Sequence, residues 1–323
     1  MQLALKVDVD TLRGTLEGLP PLLRLLERRG LRASFLFSLG PDHTGRALRR
    51  AFRPGFLGKV RRTSVLRHYG LRTLMYGTLL PGPDIGRRGA AMMRSVRSAG
   101  HEVGIHTYDH VRWQDGVANA NESWTRREMQ RAAERFNDIF GAPATVHGAA
   151  GWQMNDHAFR LLDSMQFRYA SDTRGREPFI PVIGGVALHC PQFPTTLPTL
   201  DELVGRDDLP HSDVVEHLLG LAPTAPTRGH VYTLHAELEG LALAPLFERL
   251  LQGWQALGFR VGALADIFAS LDLATVPRCQ VLRSSVAGRS GVLSVQGARD
   301  NVYNSAPASP GDGVARADGV ARI

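Results

Sequence analysis

Four short stretches of this 323-residue chain end an apolar run with groups that bind metal or move protons: Val7-Asp8-Val9-Asp10, His106-Thr107-Tyr108-Asp109-His110, Ser171-Asp172 and Leu234-His235. In a strand, residues two apart share a face, so Asp8 and Asp10 point the same way. Two like charges held close do not ionise equally unless a cation stabilises them. A bound metal resolves that conflict; a pair of acids capping a strand end is the plainer alternative. His106 and His110 stand four residues apart on the first turn after a strand, where two imidazoles can reach one ion. The HxxxH spacing alone is a weak signal, and the Asp pair strengthens it.

Residues so far apart meet only if the fold gathers them. Leu3 to Val9 reads as a buried strand, and the Leu22, Leu23, Leu25, Leu26 run after Pro20-Pro21 has helical spacing that ends at Gly30. The alternation continues with strands at 33–37, 102–105, 145–147, 167–170, 230–234 and 259–262. Helices fall between them at 87–99, 124–140, 155–166, 213–221 and 243–256, with Ser123 as the cap and Gly141 as the stop of the 124–140 helix. Strands spaced by helices mean a parallel sheet, and this many units predict an α/β fold, a distorted or incomplete (β/α) barrel. The carboxyl ends of such strands open onto one face, where one polar site can be built from four strand ends.

Composition narrows the class. A hydrophobic content of 43% supplies a large core. Cys190 and Cys279 lack CxxC spacing, which argues against a disulfide framework or a cysteine zinc site. No apolar run is long enough to span a bilayer and no secretory signal is evident, so a cytoplasmic location is expected. There is no phosphate-binding glycine loop and no GxSxG elbow. The formal charge of +7 and a pI near 10.0 point to an anionic partner. Between Gly45 and Gly100 stand thirteen Lys or Arg against one acid, Asp84, with Leu, Phe52, Phe56, Tyr69, Met75 and Tyr76 interleaved. That is the composition of an element lying on an anionic membrane surface, or of a solvated basic face. The insertion is expected over about 45–86. From about 276 to 323 the chain is rich in Gly, Ser, Ala and Asn and is expected to be a disordered or loosely attached tail.

Asp8-Val9-Asp10, His106-Thr107-Tyr108-Asp109-His110 and Leu234-His235 resemble the motifs of the polysaccharide deacetylase family with the NodB homology domain. Within that family, Asp10-Thr11-Leu12-Arg13-Gly14-Thr15, Gly40-Pro41-Asp42, Ala149-Ala150-Gly151-Trp152, Ser171-Asp172-Thr173-Arg174-Gly175, Thr196-Leu197-Pro198-Thr199 and His235-Ala236-Glu237 resemble the deformylases that act on a lipid-linked formamido-arabinose. The resemblance runs to about residue 272. It implies a metal-dependent amidohydrolase on a distorted (β/α) barrel, with a catalytic domain over 1–275.

That resemblance also implies roles. Asp10, His106 and His110 would hold one divalent ion; zinc, cobalt, manganese, nickel and iron(II) all suit this ligand set. Asp8, beside the ligands, would take a proton from attacking water. His235, arriving from the opposite side of the barrel mouth, would protonate the leaving amine. The substrate would be a formamido-arabinose on undecaprenyl phosphate, met by a peripheral protein on the cytoplasmic side of the inner membrane; nucleic acid is not an expected partner. The deacetylase arginine that orients the base is not evident in His147–Trp152. Arg174 is the candidate substitute, pairing with Asp8, and Asp172 the candidate to orient His235; a strand-end salt bridge is the alternative for both. Glu237 either attracts the product ammonium or caps a loop, while Trp113, Gln114 and Trp152 could form a sugar platform but are not expected in the site, since tryptophan is more often core. Two other functions stay open: N-deacetylation of peptidoglycan or another amino-sugar polymer, which would need export, and a binding module that has lost turnover.

Overall fold

Eleven strands are present in the computed structural model, which describes residues 1–51, 70–224, 228–289 and 291–300. In chain order they are β1 (Gln2–Val9), β2 (Ser34–Ser38), β3 (Glu102–Thr107), β4 (Val146–His147), β5 (Tyr169–Ala170), β6 (Ile180–Ile183), β7 (Val186–Ala187), β8 (His230–His235), β9 (Arg260–Gly262), β10 (Arg278–Ser284) and β11 (Leu293–Arg299). A parallel sheet has the order β5-β4-β3-β2-β1-β8. β1 is its axis: β8 runs along one side over Leu3–Asp8, while β9 at Gln2–Ala4 and β2 at Lys6–Val9 share the other. The gap between β5 and β8 is bridged by an irregular segment. Phe193 N donates to Ala170 O (2.7 Å) and Thr196 N to Val231 O (3.0 Å). The expected incomplete barrel is therefore a curled parallel sheet whose last interval is closed without a strand.

Alternation along β1 sorts the side chains into two environments. Leu3, Leu5, Val7 and Val9 join the main core beneath the surrounding helices. Ala4 joins a smaller core inside the curl, with Leu36, Val146, Tyr169 and Val231, floored by Leu264 and Ile267 from the helix Leu264–Ser270. Lys6 and Asp8 lie on the Ala4 side, so the inner face passes from apolar at the floor to charged at the mouth. The helix Glu122–Phe140 has Asn121, not Ser123, as its cap: Asn121 Oδ1 accepts from Trp124 N at 2.9 Å. Gly141 ends it at φ +66°, as expected.

Two peripheral segments complete the chain. The basic insertion is described only at its ends, by the helices Thr44–Ala51 and Leu71–Met75; residues 52–69 of the predicted membrane-facing segment lie outside the described residues. Among the described residues no helix is long and apolar enough to cross a membrane. The expectation of a loose tail from 276 is overturned for 278–299. β10 pairs in parallel with β6 and antiparallel with β11, giving a four-stranded sheet β11-β10-β6-β7. Composition misled here because a hairpin added to an existing edge is held by backbone bonds and needs few buried side chains, chiefly Cys279, Leu293 and Ser294. Residues 301–323 lie outside the described residues.

The mouth is shaped by a close backbone approach. The turn Gly14–Gly18 packs on the short helix Ala236–Glu239, and a Cβ on Gly18 would sit 2.1 Å from Ala236 O. Gly18→Ala is expected to destabilise the protein by about 1–3 kcal/mol or more, the cost of overpacking against backbone, read by equilibrium unfolding in denaturant. A loss below about 0.5 kcal/mol, the range of an uninvolved surface change, would show that the two turns are not held at this distance.

Candidate active site

β1 delivers Asp8 and, one residue past its end, Asp10. β3 delivers His106, and the helix His110–Gly116 opens with His110, its N-terminus capped by Asp109 Oδ1 on Arg112 N at 3.0 Å. His43 Nδ1 lies 2.7 Å from the other Asp109 oxygen, which ties the first loop after β2 to this cap. The fold thus brings together the three residues expected to hold metal: one atom from each of Asp10, His106 and His110 lies within 4.8 Å of the other two.

Their protons decide whether an ion fits. His106 Nδ1 donates to Gly148 O at 2.5 Å, so Nε2 turns a lone pair toward Asp10 Oδ1, 3.1 Å away. Two acceptors at that separation are compatible only with a cation between them or a protonated ring. His110 Nε2 lies 3.3 Å from the other Asp10 oxygen, Oδ2. Burial works against charge on Asp10, but His110, His106 and His235 outweigh it and hold the carboxyl well below the usual carboxylate range. Burial likewise opposes charge on His106, and the Asp8 and Asp10 carboxylates outweigh it, raising the ring above its ordinary value. The residues present therefore fit a divalent ion, which would satisfy both lone pairs at once.

Asp8 is not paired with Arg174. Its Oδ2 lies 3.1 Å from Lys6 Nζ, with both side chains buried. The lysine follows from strand periodicity: positions 6 and 8 share a face, and Lys6 rises along the inside of the curl to the acid above it. Glycine makes the room, since a Cβ on Gly148 would meet Leu36 Cδ1 at 2.3 Å and Lys6 Cε at 2.9 Å. Arg174 is drawn elsewhere, into a two-pronged pair with Glu202 and a position 5.0 Å over the Trp152 ring.

His235 also differs from expectation. It stands in register with Asp8 on the adjoining strand, not across the mouth. Asp172 does not orient it. That carboxylate is enclosed by His147 Nδ1 (2.7 Å), Ala149 N (2.7 Å) and Gln192 Nε2 (3.0 Å). Burial disfavours its charge, yet His147 and these donors hold the carboxyl below its ordinary value. Asp172 instead fixes the start of the 148–152 loop, whose Gly148 carbonyl sets the His106 ring. The acid facing His235 is Asp201, with its Oδ1 3.7 Å from Nδ1.

Glu237 and Glu239 are fully buried. Glu237 Oε1 accepts from Asp10 N (3.2 Å) and Glu239 Oε2 from His235 N (2.8 Å), so both cap backbone at the mouth. Burial, then Asp10, pushes Glu237 well above the usual range, and burial pushes Glu239 up to about 7. Trp113 and Trp152 are buried, as core residues. Lys6, Asp201, Glu202 and Glu239 escaped the sequence reading. Lys6 carried a signal, a single charge inside an apolar run; Asp201 and Glu202 lie in the box capped by Thr199, and nothing in their spacing tied them to His235.

A curled parallel (β/α) sheet with an Asp-His-His set at its carboxyl end, flanked by a buried carboxylate and a histidine, defines a hydrolase class whose site could hold a metal ion. The profile of the polysaccharide deacetylase family matches residues 13–170. A Shewanella sediminis protein assigned as the 4-deoxy-4-formamido-L-arabinose-phosphoundecaprenol deformylase ArnD is 36% identical over 305 residues, 94% of this chain and 98% of the relative. The protein of the same name from Wigglesworthia glossinidia brevipalpis is 29% identical over 286 residues, 88% and 98% of the two chains. Among solved structures, a Mycobacterium smegmatis protein assigned to the polysaccharide deacetylases superposes with a TM-score of 0.60 at 17% identity, covering 88% of this chain and 94% of the other. The Bc1960 peptidoglycan N-acetylglucosamine deacetylase gives 0.50 at 16%, covering 83% and 88%. These two establish the fold alone. The chain belongs to the polysaccharide deacetylase family, and it is an enzyme of the deformylase and deacetylase class.

Lys6→Met would leave Asp8 buried without its cation. Breaking one side of a buried pair costs about 3–5 kcal/mol, so the variant is expected to lose that much stability and most hydrolytic activity, with Lys6→Arg retaining more of both. Unfolding curves and turnover of the three proteins decide it. Equal activity in all three would remove Lys6 from the support of Asp8.

Proposed function

We propose that this protein hydrolyses the N-formyl group of undecaprenyl-phosphate-linked 4-deoxy-4-formamido-L-arabinose. The products are formate and the free 4-amino sugar lipid, which serves lipid A modification and resistance to cationic peptides such as polymyxin. The observation that carries the chemistry is the acceptor pair Asp10 and His106, poised for a cation beside a lysine-held Asp8. The substrate is supported by the names of the two relatives, which this chain covers almost from end to end.

Asp10, His106 and His110 would hold the divalent ion. When bound, such an ion polarises a carbonyl oxygen and lowers the pKa of bound water toward about 7. Asp8 lies outside that set and is free to accept the proton of the attacking water, its own geometry fixed by Lys6. Attack at the formyl carbon gives a tetrahedral centre, and the C–N bond breaks as a proton passes to the departing nitrogen. His235, on the strand beside Asp8, supplies that proton, without which an amine is a poor leaving group. A neutral amide becomes an ammonium.

The lipid carrier requires the site to come to a membrane surface. Leu71, Leu79 and Leu80 are 66%, 82% and 37% exposed, within one stretch of the basic insertion and beside the exposed Arg72. Exposed leucines among arginines support peripheral attachment to an anionic leaflet on the cytoplasmic side, at roughly 1 kcal/mol per basic side chain near the surface. Sedimentation should place the protein with anionic vesicles and release it at high salt. Equal partition with neutral and anionic vesicles would sink this part of the reading.

Metal-reconstituted protein is expected to release formate from synthetic polyprenyl phosphate formamido-arabinose, to leave its acetamido analogue intact and to be silent when stripped of metal. Asp8→Asn should lower the rate by about 10²- to 10⁴-fold, the usual worth of a positioned acid or base, with metal content unchanged. Acetate release at a comparable rate, or an active Asp8→Asn variant, would overturn the proposal.

A further inference from the structure

The loop joining β10 and β11 reaches back to the mouth. It turns at Gly288 (φ +83°) beside the Glu202 backbone and lays Arg289 into a cluster of site-side residues. Arg289 Nη1 lies 2.8 Å from Asp201 Oδ2, and Nη2 donates to Asp201 Oδ1 (3.0 Å) and to Thr199 Oγ1 (2.6 Å). Its Nε donates to Glu202 Oε1 at 2.6 Å, and the guanidinium lies 4.7 Å over the Trp152 ring. Trp152 is itself held in a left-handed backbone conformation (φ +53°), with its Nε1 donating to Thr195 Oγ1 at 2.9 Å and with Lys6 Nζ 5.1 Å from its ring. Such a conformation persists in a bulky residue only where its surroundings impose it.

The hairpin that carries Arg289 is anchored independently of that arginine. Arg174 N donates to Ser294 O (2.9 Å), Gln296 N to Arg174 O (2.8 Å), and Arg176 N to Gln296 Oε1 (2.7 Å). Arg289 thus arrives on a fixed arm. Asp201 Oδ1, the oxygen that accepts from Arg289 Nη2, is also the one 3.7 Å from His235 Nδ1, so Arg289, Asp201 and His235 stand in series.

We infer that Arg289 is a positioning residue for the acid arm of the site: by fixing both oxygens of Asp201, it holds that carboxylate against His235 and so aims the His235 ring at the departing nitrogen. This rests on the hydrolytic reading given above. It also makes the β10–β11 hairpin part of the catalytic unit, which then extends to about residue 300. Burial disfavours charge on Asp201, but Arg289 first and His235 second outweigh it and keep the carboxylate ionised.

The leaving group separates positioning from general support. An amine needs the proton from His235, whereas 4-nitrophenolate leaves without it. Wild type, Arg289→Lys and Arg289→Met are compared, metal-loaded, on the formamido sugar lipid and on 4-nitrophenyl formate. For Arg289→Met, kcat on the formamide is expected to fall about 10- to 100-fold, within what a positioned acid supplies, with KM little changed. The loss on the aryl ester should be no more than about 2-fold, and Arg289→Lys should recover part of the formamide loss. Equal losses on both substrates, or none on either, would overturn the inference. Ring-nitrogen NMR of the same three proteins gives a readout that needs no substrate. In wild type the His235 proton should reside on Nδ1, toward Asp201, and in Arg289→Met it should be shared between the two nitrogens. Identical His235 signals in the three proteins would contradict the inference even if the sugar lipid is not the substrate.

Discussion

The constraint on which this structure depends is the crowding of carboxylates at the mouth of a curled sheet, where water is largely excluded. Asp8, Asp10, Asp201, Glu202, Glu237 and Glu239 lie around the ends of β1 and β8, and like charges so placed repel unless each is answered. Each is answered differently. Asp8 has a lysine beneath it, Asp10 has two imidazoles beside it, one of which turns a lone pair that calls for a cation, and Asp201 and Glu202 have arginines. Glu237 and Glu239 are pushed up by burial, Glu239 to about 7, and serve as backbone caps. Distinct surroundings thus give chemically similar groups distinct roles, which a hydrolase with separate ligand, base and acid requires.

The sheet makes that distribution possible. β1 has strands on both sides, and its inner face carries Ala4, Lys6 and Asp8 in succession, so a single alternating strand supplies the floor, the counterion and the base. A lysine at this depth is tolerated because Gly148 leaves space for its side chain and Asp8 balances its charge. The 148–152 loop then has two duties. Its first carbonyl sets the His106 ring, and its tryptophan lies under Arg174, Arg289 and Lys6. Asp172, which holds the start of that loop, supports the site from beneath without touching His235.

Much of this was legible in the chain. The alternation of strands and helices follows from hydrophobic period, and the grouping of Asp8, Asp10, His106 and His110 follows from spacing at strand ends, because both are local properties; which of the four hold the ion was implied by the family resemblance. Partnerships across long intervals were not. Arg174 finds Glu202 and Arg289 finds Asp201 through loops whose paths no local pattern records. Arginine and aspartate in sequence therefore suggested the wrong pairs. The hairpin at 278–299 was hidden for a related reason, since an edge strand stabilised by backbone bonds has no strong apolar period. Asn121 and Ser123 are both competent caps, and only the extended backbone at Asn121 separates them.

The central claim is the division of labour between two neighbouring aspartates, Asp10 binding the ion and Asp8 kept off it by Lys6. A crystal structure of the zinc-loaded protein with anomalous data at the zinc edge tests it most directly. The account expects one strong peak within about 2.0–2.2 Å of His106 Nε2, His110 Nε2 and an Asp10 oxygen, with Asp8 still paired to Lys6. A peak elsewhere, or one that draws Asp8 into its coordination, would contradict the account.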